Sequence, residues 1–445
     1  MRGSLGWFGI VRLGLVQTAL GAIVVLTTST MNRVMVVELA LPAALPGALV
    51  AFHYALQFLR PRWGYGADVS GRRTPWIFGG MITLAAGGVG ASIATAWMAT
   101  NLVAGVLLAV VAFAAIGAGV GAAGTNLLAF LATRVSAERR GAAATIVWMM
   151  MIAGFVVTTI TAGHYLDPFS TMRLIAVTSA VSAVAVIVTA LALWKMESEQ
   201  ERHKVVETSS ETNKTPFRDA FAQVWQEADA RRFTIFVFVS MLAYSMQDLI
   251  LEPFAGLVFG MTPGESTKLS GVQNGGVFTG MLLVALAGKA GLGIGSLRSW
   301  TIGGCIASAA ALLALAAAGT GGPNWPLRAT VFGLGLANGA FAVAAIGSMM
   351  QLAGSGAKSR EGVRMGLWGA AQAVAFGAGG FVGAVGVDII RQVVDQPATA
   401  YTTVFFIEAC LFLAAAGLAS RAIASDQRAT EIRRSADHSG LVEQS

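Results

Sequence analysis

Charge is scarce in this chain: 12% of its 445 residues are Asp, Glu, Lys or Arg, while 55% are hydrophobic. A soluble globule carries about 25% charged residues, so a mean hydropathy of +0.68 excludes an ordinary water-soluble domain. Cysteine is scarcer still. Cys305 and Cys410 lie far apart inside apolar runs, which argues against a disulfide framework. There are four histidines, and none belongs to a paired cluster with metal-ligand spacing. A phosphate-binding glycine loop with its lysine is missing, as is an aspartate-rich prenyl-diphosphate motif. Enzymatic chemistry has little to stand on. The net charge of +7 would suggest nucleic acid in a soluble protein. Here sidedness across a membrane accounts for it, and no nucleic-acid partner is expected.

What the chain does have is long apolar runs and 54 glycines, a composition suited to close helix packing in lipid. Each membrane crossing needs about 20 apolar residues. The runs predict twelve helices near 13–31, 40–59, 76–98, 102–131, 142–163, 172–194, 233–259, 270–288, 299–319, 328–352, 364–387 and 400–420. The expected class is therefore an all-α integral membrane protein. With both termini inside, only Arg33, Arg173, Lys268, Arg328 and Arg391 fall on the outer side. The other 25 of the 30 Lys and Arg residues are cytoplasmic, which sets the orientation. Arg2 and Arg12 flank a short apolar stretch without a small-residue cleavage pattern, so a cleaved signal is not expected. Trp7, Trp63, Trp76, Trp194 and Trp325 fall near predicted interfaces, as an aromatic belt requires.

A polar segment divides the runs six and six. The N-terminal half spans 1–194, a cytoplasmic linker 195–232, the C-terminal half 233–420 and a polar tail 421–445. Thr215-Pro216 begins a helix in the linker, because proline suits a first helical turn. Phe217, Phe221, Val224 and Trp225 then share one apolar face, suited to the inner leaflet or to the underside of the bundle. The halves repeat weakly. Ser136–Gly141 links helices four and five, and Lys358–Gly362 links ten and eleven. Two halves rocking about a central site is the mechanical expectation.

Charges at membrane depth are costly, so each is a candidate site. Arg33 and Glu38, five residues apart, are placed at the outer ends of helices one and two, where a salt bridge or a functional role would fit. Asp248 and Glu252 in helix seven are spaced i,i+4, which puts both carboxylates on one face, with Pro253 interrupting the helix. Two nearby carboxylates suit proton coupling, or equally a hydrogen bond to a neighbouring helix or closure of the outer end of the bundle, and Gln247 adds a polar group beside them. Asp388 and Glu408 are expected at interfaces. His53 alone among the histidines sits mid-way across the membrane. Gly117, Gly121 and Gly124 in helix four, with Gly379, Gly383 and Gly386 in helix eleven, form small-residue faces for close packing.

Between helices two and three lies Gly64-Tyr65-Gly66-Ala67-Asp68-Val69-Ser70-Gly71-Arg72-Arg73. Read as a tight loop, it has Gly64 and Gly71 for sharp turning, Asp68 for a helix N-terminus or an arginine, and Arg72 and Arg73 holding the cytoplasmic side. Its order resembles the signature loop of major facilitator superfamily transporters. That resemblance implies a major facilitator fold, twelve transmembrane helices in two six-helix halves.

Four further runs narrow the resemblance: Met31–Leu39, Leu166–Ser170, Met246–Phe254 and Gly366–Ala373. Together they resemble the PucC/LhaA bacteriochlorophyll delivery group of that superfamily, over about 12–421. Phe254-Ala255 and Arg60-Pro61-Arg62 look more like the branch linked to bacteriochlorophyll synthesis genes. The resemblance implies an assembly factor for light-harvesting complexes in the photosynthetic membrane. It would bind or deliver bacteriochlorophyll, or a chlorophyll precursor, alongside light-harvesting polypeptides, bacteriochlorophyll synthase and translocation machinery. His53 is then a candidate ligand of the pigment magnesium, the alternative being a hydrogen bond to a neighbouring group, and Gln247, Asp248 and Glu252 are candidate contacts. The competing expectation is a proton-coupled transporter of a small solute or pigment precursor.

Overall fold

The computed structural model describes residues 5–70, 72–136, 139–197, 225–289, 295–322, 324–355 and 361–422. It is helical throughout these residues, in twelve long elements. The first six are α1 (Trp7–Glu38), α2 (Ala44–Leu56, carried on through Gln57–Leu59 to Arg60–Ser70), α3 (Thr74–Met98), α4 (Leu102–Arg134), α5 (Arg140–Leu166) and α6 (Thr171–Leu193). The second six are α7 (Ala228–Met246, a turn at Gln247–Leu249, then Leu251–Phe259), α8 (Pro263–Lys289), α9 (Leu297–Gly321), α10 (Leu327–Ser355), α11 (Glu361–Arg391) and α12 (Pro397–Ala422). Among the described residues eleven spans are long and apolar enough to cross a membrane, and Ala44–Leu56 in α2 is a shorter apolar helix.

Local chemistry marks several ends. The side chains of Asn101, Ser170 and Ser296 accept from backbone N–H groups three residues on, capping α4, α6 and α9. Gly260 closes α7 at φ +67°, a conformation that costs glycine little. Between helices, glycine permits backbone contact. A side chain at Gly280 would meet the Leu336 carbonyl at 2.1 Å, and one at Gly339 would meet that of Val277 at the same distance, so α8 and α10 lie groove to groove. The small faces predicted for helices four and eleven do the same work. Gly117 abuts the His53 carbonyl on α2, while Gly379 and Gly383 abut α7.

Each half has its own buried core. One gathers Ile10, Leu84, Phe113 and Leu127, and the other Phe236, Leu312, Phe341 and Phe412. The halves touch along α5 with α8 and along α2 with α11.

Three expectations need correction. The predicted loop at 64–73 is helical as far as Ser70, and of its described residues only Arg72 and Arg73 are non-helical before α3. The cause is tertiary: Trp63 lies against Gly121 and Trp76 against Gly66, packing that rewards a helix despite its glycines. Arg33 and Glu38 do not end separate helices. The apolar run Val34–Val37 keeps α1 going, through π-turns at Leu26–Thr30 and Val34–Glu38. Helix seven starts at Ala228, inside the stretch assigned to the linker. The linker helix expected from Thr215 and the polar tail lie outside the described residues, apart from Trp225.

Candidate functional site

The π-turns of α1 hold one more residue per turn than an α-helix, which re-aims the side chains that follow. Ser29, Thr30, Asn32 and Arg33 consequently all face the second half. Pro253 in α7 has no N–H, so the Leu249 carbonyl four residues earlier lacks its helical donor. Asn32 Nδ2 supplies one at 2.6 Å. Glu252, 1% exposed, accepts hydrogen bonds from Ser29 on α1, from Ser270 at 2.5 Å and from Ser266 at 3.4 Å on α8. The Thr30 and Thr267 hydroxyls meet at 3.1 Å. Arg33 pairs with Glu38 and donates to the Met261 carbonyl at 2.6 Å. At the same end, Asp167 accepts the Gly264 N–H at 3.2 Å, and Asp388 accepts the N–H groups of Ala43 and Ala44 at 3.0 and 2.7 Å. These bonds latch the two halves together at the end remote from Arg60, Arg72 and Arg140.

Asp248 and Glu252 do not share a face. The Gln247–Leu249 turn is a tight 3-10 turn, and its altered pitch sends the two carboxylates apart. Glu252 enters the latch, whereas Asp248 stays accessible between neighbours Gln247 and Leu249 that are 0% and 1% exposed. It therefore faces the space between the halves, within electrostatic reach of Tyr54 on α2 and Tyr244 on α7. Phe376 of α11 stands between the two tyrosines. Its ring centroid is 6.0 Å from Tyr54, nearly stacked, and 5.8 Å from Tyr244, edge-on. The Tyr54 and Tyr244 hydroxyls and the Asp248 carboxylate, all partly accessible, make no hydrogen bond among the described residues. Three aromatic rings and three unpartnered polar tips thus cluster where α2 of the first half meets α7 and α11 of the second.

His53 is turned away from this use. Its Nδ1 meets the Val50 carbonyl at 3.3 Å and its Nε2 meets Gln57 Nε2 at 3.1 Å, while Gln57 Oε1 accepts from Arg60. The partners assign the tautomer: Nδ1 donates and Nε2 accepts. In this arrangement neither nitrogen is left to ligate a magnesium ion. Gln247 is buried with both amide atoms unpartnered among the described residues. Glu408, expected at an interface, is instead fully buried in the middle of α12 with both oxygens unpartnered among the described residues.

Gly64 and Asp68 lie on the helical end of α2, and Arg72 and Arg73 in the turn to α3. Gly71 and the Asp68 side chain lie outside the described residues. The capping expected of Asp68 comes at least in part from elsewhere. Glu197, just after α6, accepts the N–H groups of Arg73 and Thr74 at 2.9 and 3.0 Å. Nothing local in the sequence pairs Glu197 with position 74. Ser29, Tyr54, Tyr244, Ser270 and Phe376 likewise give no sequence signal beyond ordinary helix content. Among the described residues no group of three His, Cys, Asp or Glu could hold a metal ion.

Comparison with known proteins agrees with this geometry. The family model described as "PUCC protein" matches residues 30–427. The chain is 53% identical over 424 residues to "Bacteriochlorophyll synthase 44.5 kDa chain" of Rhodobacter capsulatus, covering 95% of this chain and 97% of that one. It is 29% identical to "Protein PucC" of Cereibacter sphaeroides, covering 90% and 88%. Among solved structures, the peptide transporter POT in complex with sulfate superposes with a TM-score of 0.68 at 15% identity, over 94% of this chain and 96% of that one. The nucleoside transporter NupG gives 0.66 at 15% identity, over 93% and 98%. The fold is that of major facilitator transporters, and the chain is a multi-pass membrane protein.

Proposed function

The chain belongs to the PucC family, and from that premise we propose that it is a non-enzymatic assembly factor for photosynthetic light-harvesting complexes. In this reading it receives bacteriochlorophyll, or a chlorophyll precursor, in the bacterial photosynthetic membrane and passes it to antenna polypeptides. Both termini face the cytoplasm, because the arginine-rich end then obeys the positive-inside rule. Bacteriochlorophyll synthase and the translocation machinery are the expected partners. The relative named as a synthase chain supports placement near pigment synthesis, not synthase chemistry in this chain.

The observation that carries the proposal is the cluster of Tyr54, Tyr244, Phe376 and Asp248 between the halves, read as the lining of a pigment pocket. A flat macrocycle offers an apolar face for Phe376 and Tyr54 to stack on and peripheral carbonyls for hydroxyl donors. Tyr54 and Tyr244 are such donors. Asp248 accepts from a water or a protonated group at the pigment rim. The latch holds the far end shut, so cargo enters from the basic end or from the side. His53 is assigned to stiffening α2 rather than to the magnesium.

The test is co-purification. The protein is isolated from a photosynthetic host lacking antenna and reaction-centre polypeptides, and its absorption spectrum is recorded. Stoichiometric bacteriochlorophyll is expected. Partner proteins without pigment would instead make it a scaffold.

A second reading has its own observation. Three acids, Asp248, Glu252 and Glu408, lie within the membrane-spanning part of the C-terminal half, as proton coupling would use. A gradient-driven uptake of a small solute into vesicles, abolished by Asp248→Asn, would select this transporter over pigment delivery.

A further inference from the structure

A cavity of about 370 Å³ opens sideways near the basic end, between the last part of α2 and helices α3 and α4. Trp63, Trp76, Gly79, Gly80, Ala118 and Ala122 form most of its lining. Its walls are fixed before any ligand arrives. Trp63 is seated on Gly121, where even one methyl group would collide with the indole at 2.0 Å. Asn126 Nδ2 donates to the Trp63 carbonyl at 3.4 Å, and Trp76 Nε1 donates to Ser70 Oγ at 3.2 Å. The mouth is lined by Pro75, Gly79 and Thr83, all exposed on the flank of α3 that the bilayer covers. Arg62, beside Trp63, and Arg72, three residues before Pro75, are both exposed, and their guanidinium groups make no ion pair or hydrogen bond among the described residues.

From this juxtaposition we propose that the cavity is a binding site for an anionic phospholipid, one acyl chain between Trp63 and Trp76 and the phosphate held by Arg62 and Arg72. Chain and headgroup need different surroundings, and the slot together with the arginines that adjoin its lining in sequence supplies both. A buried apolar slot on the lipid side suits the chain. Guanidinium groups at the level of the inner headgroups suit the phosphate, since arginine pairs with phosphate through two parallel N–H donors. Basic sites between transmembrane helices on the cytoplasmic side recognise lipid headgroups by the same chemistry. A neutral lipid would fill the slot without engaging the arginines. The consequence is mechanical: a bound lipid would brace the end of α2 against α3 and α4, the part of the first half that leads into the central pocket.

The test is tryptophan quenching by brominated acyl chains in proteoliposomes of the full chain. Dibrominated phosphatidylglycerol and dibrominated phosphatidylcholine are compared at matched mole fraction. The emission lost in a Trp63→Phe, Trp76→Phe double variant is the emission that comes from the cavity. The expected result is stronger cavity quenching by the anionic lipid, with relative affinity falling roughly fivefold for each of Arg62→Gln and Arg72→Gln. Thermal unfolding of each variant establishes that it is folded. Equal quenching by both lipids would overturn the proposal. So would a difference between the two lipids that persists unchanged in the double variant, or cavity emission that only bacteriochlorophyll quenches.

Discussion

Asn32 on α1 donates its side-chain amide to the Leu249 carbonyl on α7 at 2.6 Å, across the boundary between the halves. The bond exists because Pro253 withholds the donor that Leu249 would otherwise receive within its own helix. A break in one half is thereby completed by a side chain from the other. Replacing Asn32 by Leu leaves that carbonyl buried and unpaired, at a cost of about 1–3 kcal/mol. Adding Pro253→Ala restores an intrahelical donor and recovers part of the loss. Thermal unfolding of the two single variants and the double variant measures the coupling. Strict additivity would contradict this account.

Glu252 is the acceptor for three serine hydroxyls on two helices. Glu252→Leu is expected to cost about 1–3 kcal/mol, since those hydroxyls lose their partner in a buried site. Glu252→Gln keeps a carbonyl acceptor and costs less. Spin-label distances across the latched end should lengthen in the leucine variant and stay put in the glutamine variant.

The pocket residues separate pigment contact from support. Phe376→Ala and Tyr54→Ala remove stacking surface, and Asp248→Asn and Tyr244→Phe each remove a polar tip. Pigment affinity falls several-fold in each, as single hydrogen bonds of about 0.5–1.5 kcal/mol predict. His53→Phe retains pigment while lowering the melting temperature, because Gln57 loses its acceptor. Retained pigment with His53→Phe and lost pigment with Phe376→Ala is the distinguishing pattern.

Glycine tolerance follows contact, not position along a helix. Gly280→Val would drive a side chain into the α10 backbone, and overpacking of this kind costs about 1–3 kcal/mol or more. Gly303, with nothing within 4 Å, should accept valine with little change in melting temperature.

The membrane architecture was legible because apolar runs report burial and lipid contact directly, and these runs place the twelve elements within several residues. The stretch after Arg60 was misread as a loop because Gly64, Gly66 and polar neighbours look like turn residues. Only the packing of Trp63 on Gly121 and Trp76 on Gly66 overrides that preference. The latch was half visible. Arg33, Glu38 and Glu252 stood out as charges at membrane depth, but their serine and threonine partners carry no signal in a membrane helix. Spacing put Asp248 beside Glu252, yet the 3-10 turn at Gln247–Leu249 turns one into the latch and the other toward the pocket. Tyr54, Tyr244 and Phe376 come from three helices, and only the fold brings them together.

The most direct test of the central claim is a titration of purified bacteriochlorophyll into the protein reconstituted in lipid nanodiscs. The readout is visible-region circular dichroism, since a pigment held in one chiral pocket acquires a signal that free pigment in lipid lacks. The account predicts a saturable signal at one pigment per chain, weakened in Phe376→Ala and Asp248→Asn and retained in His53→Phe. A signal that never saturates, or one indifferent to Phe376 and Asp248, would contradict it.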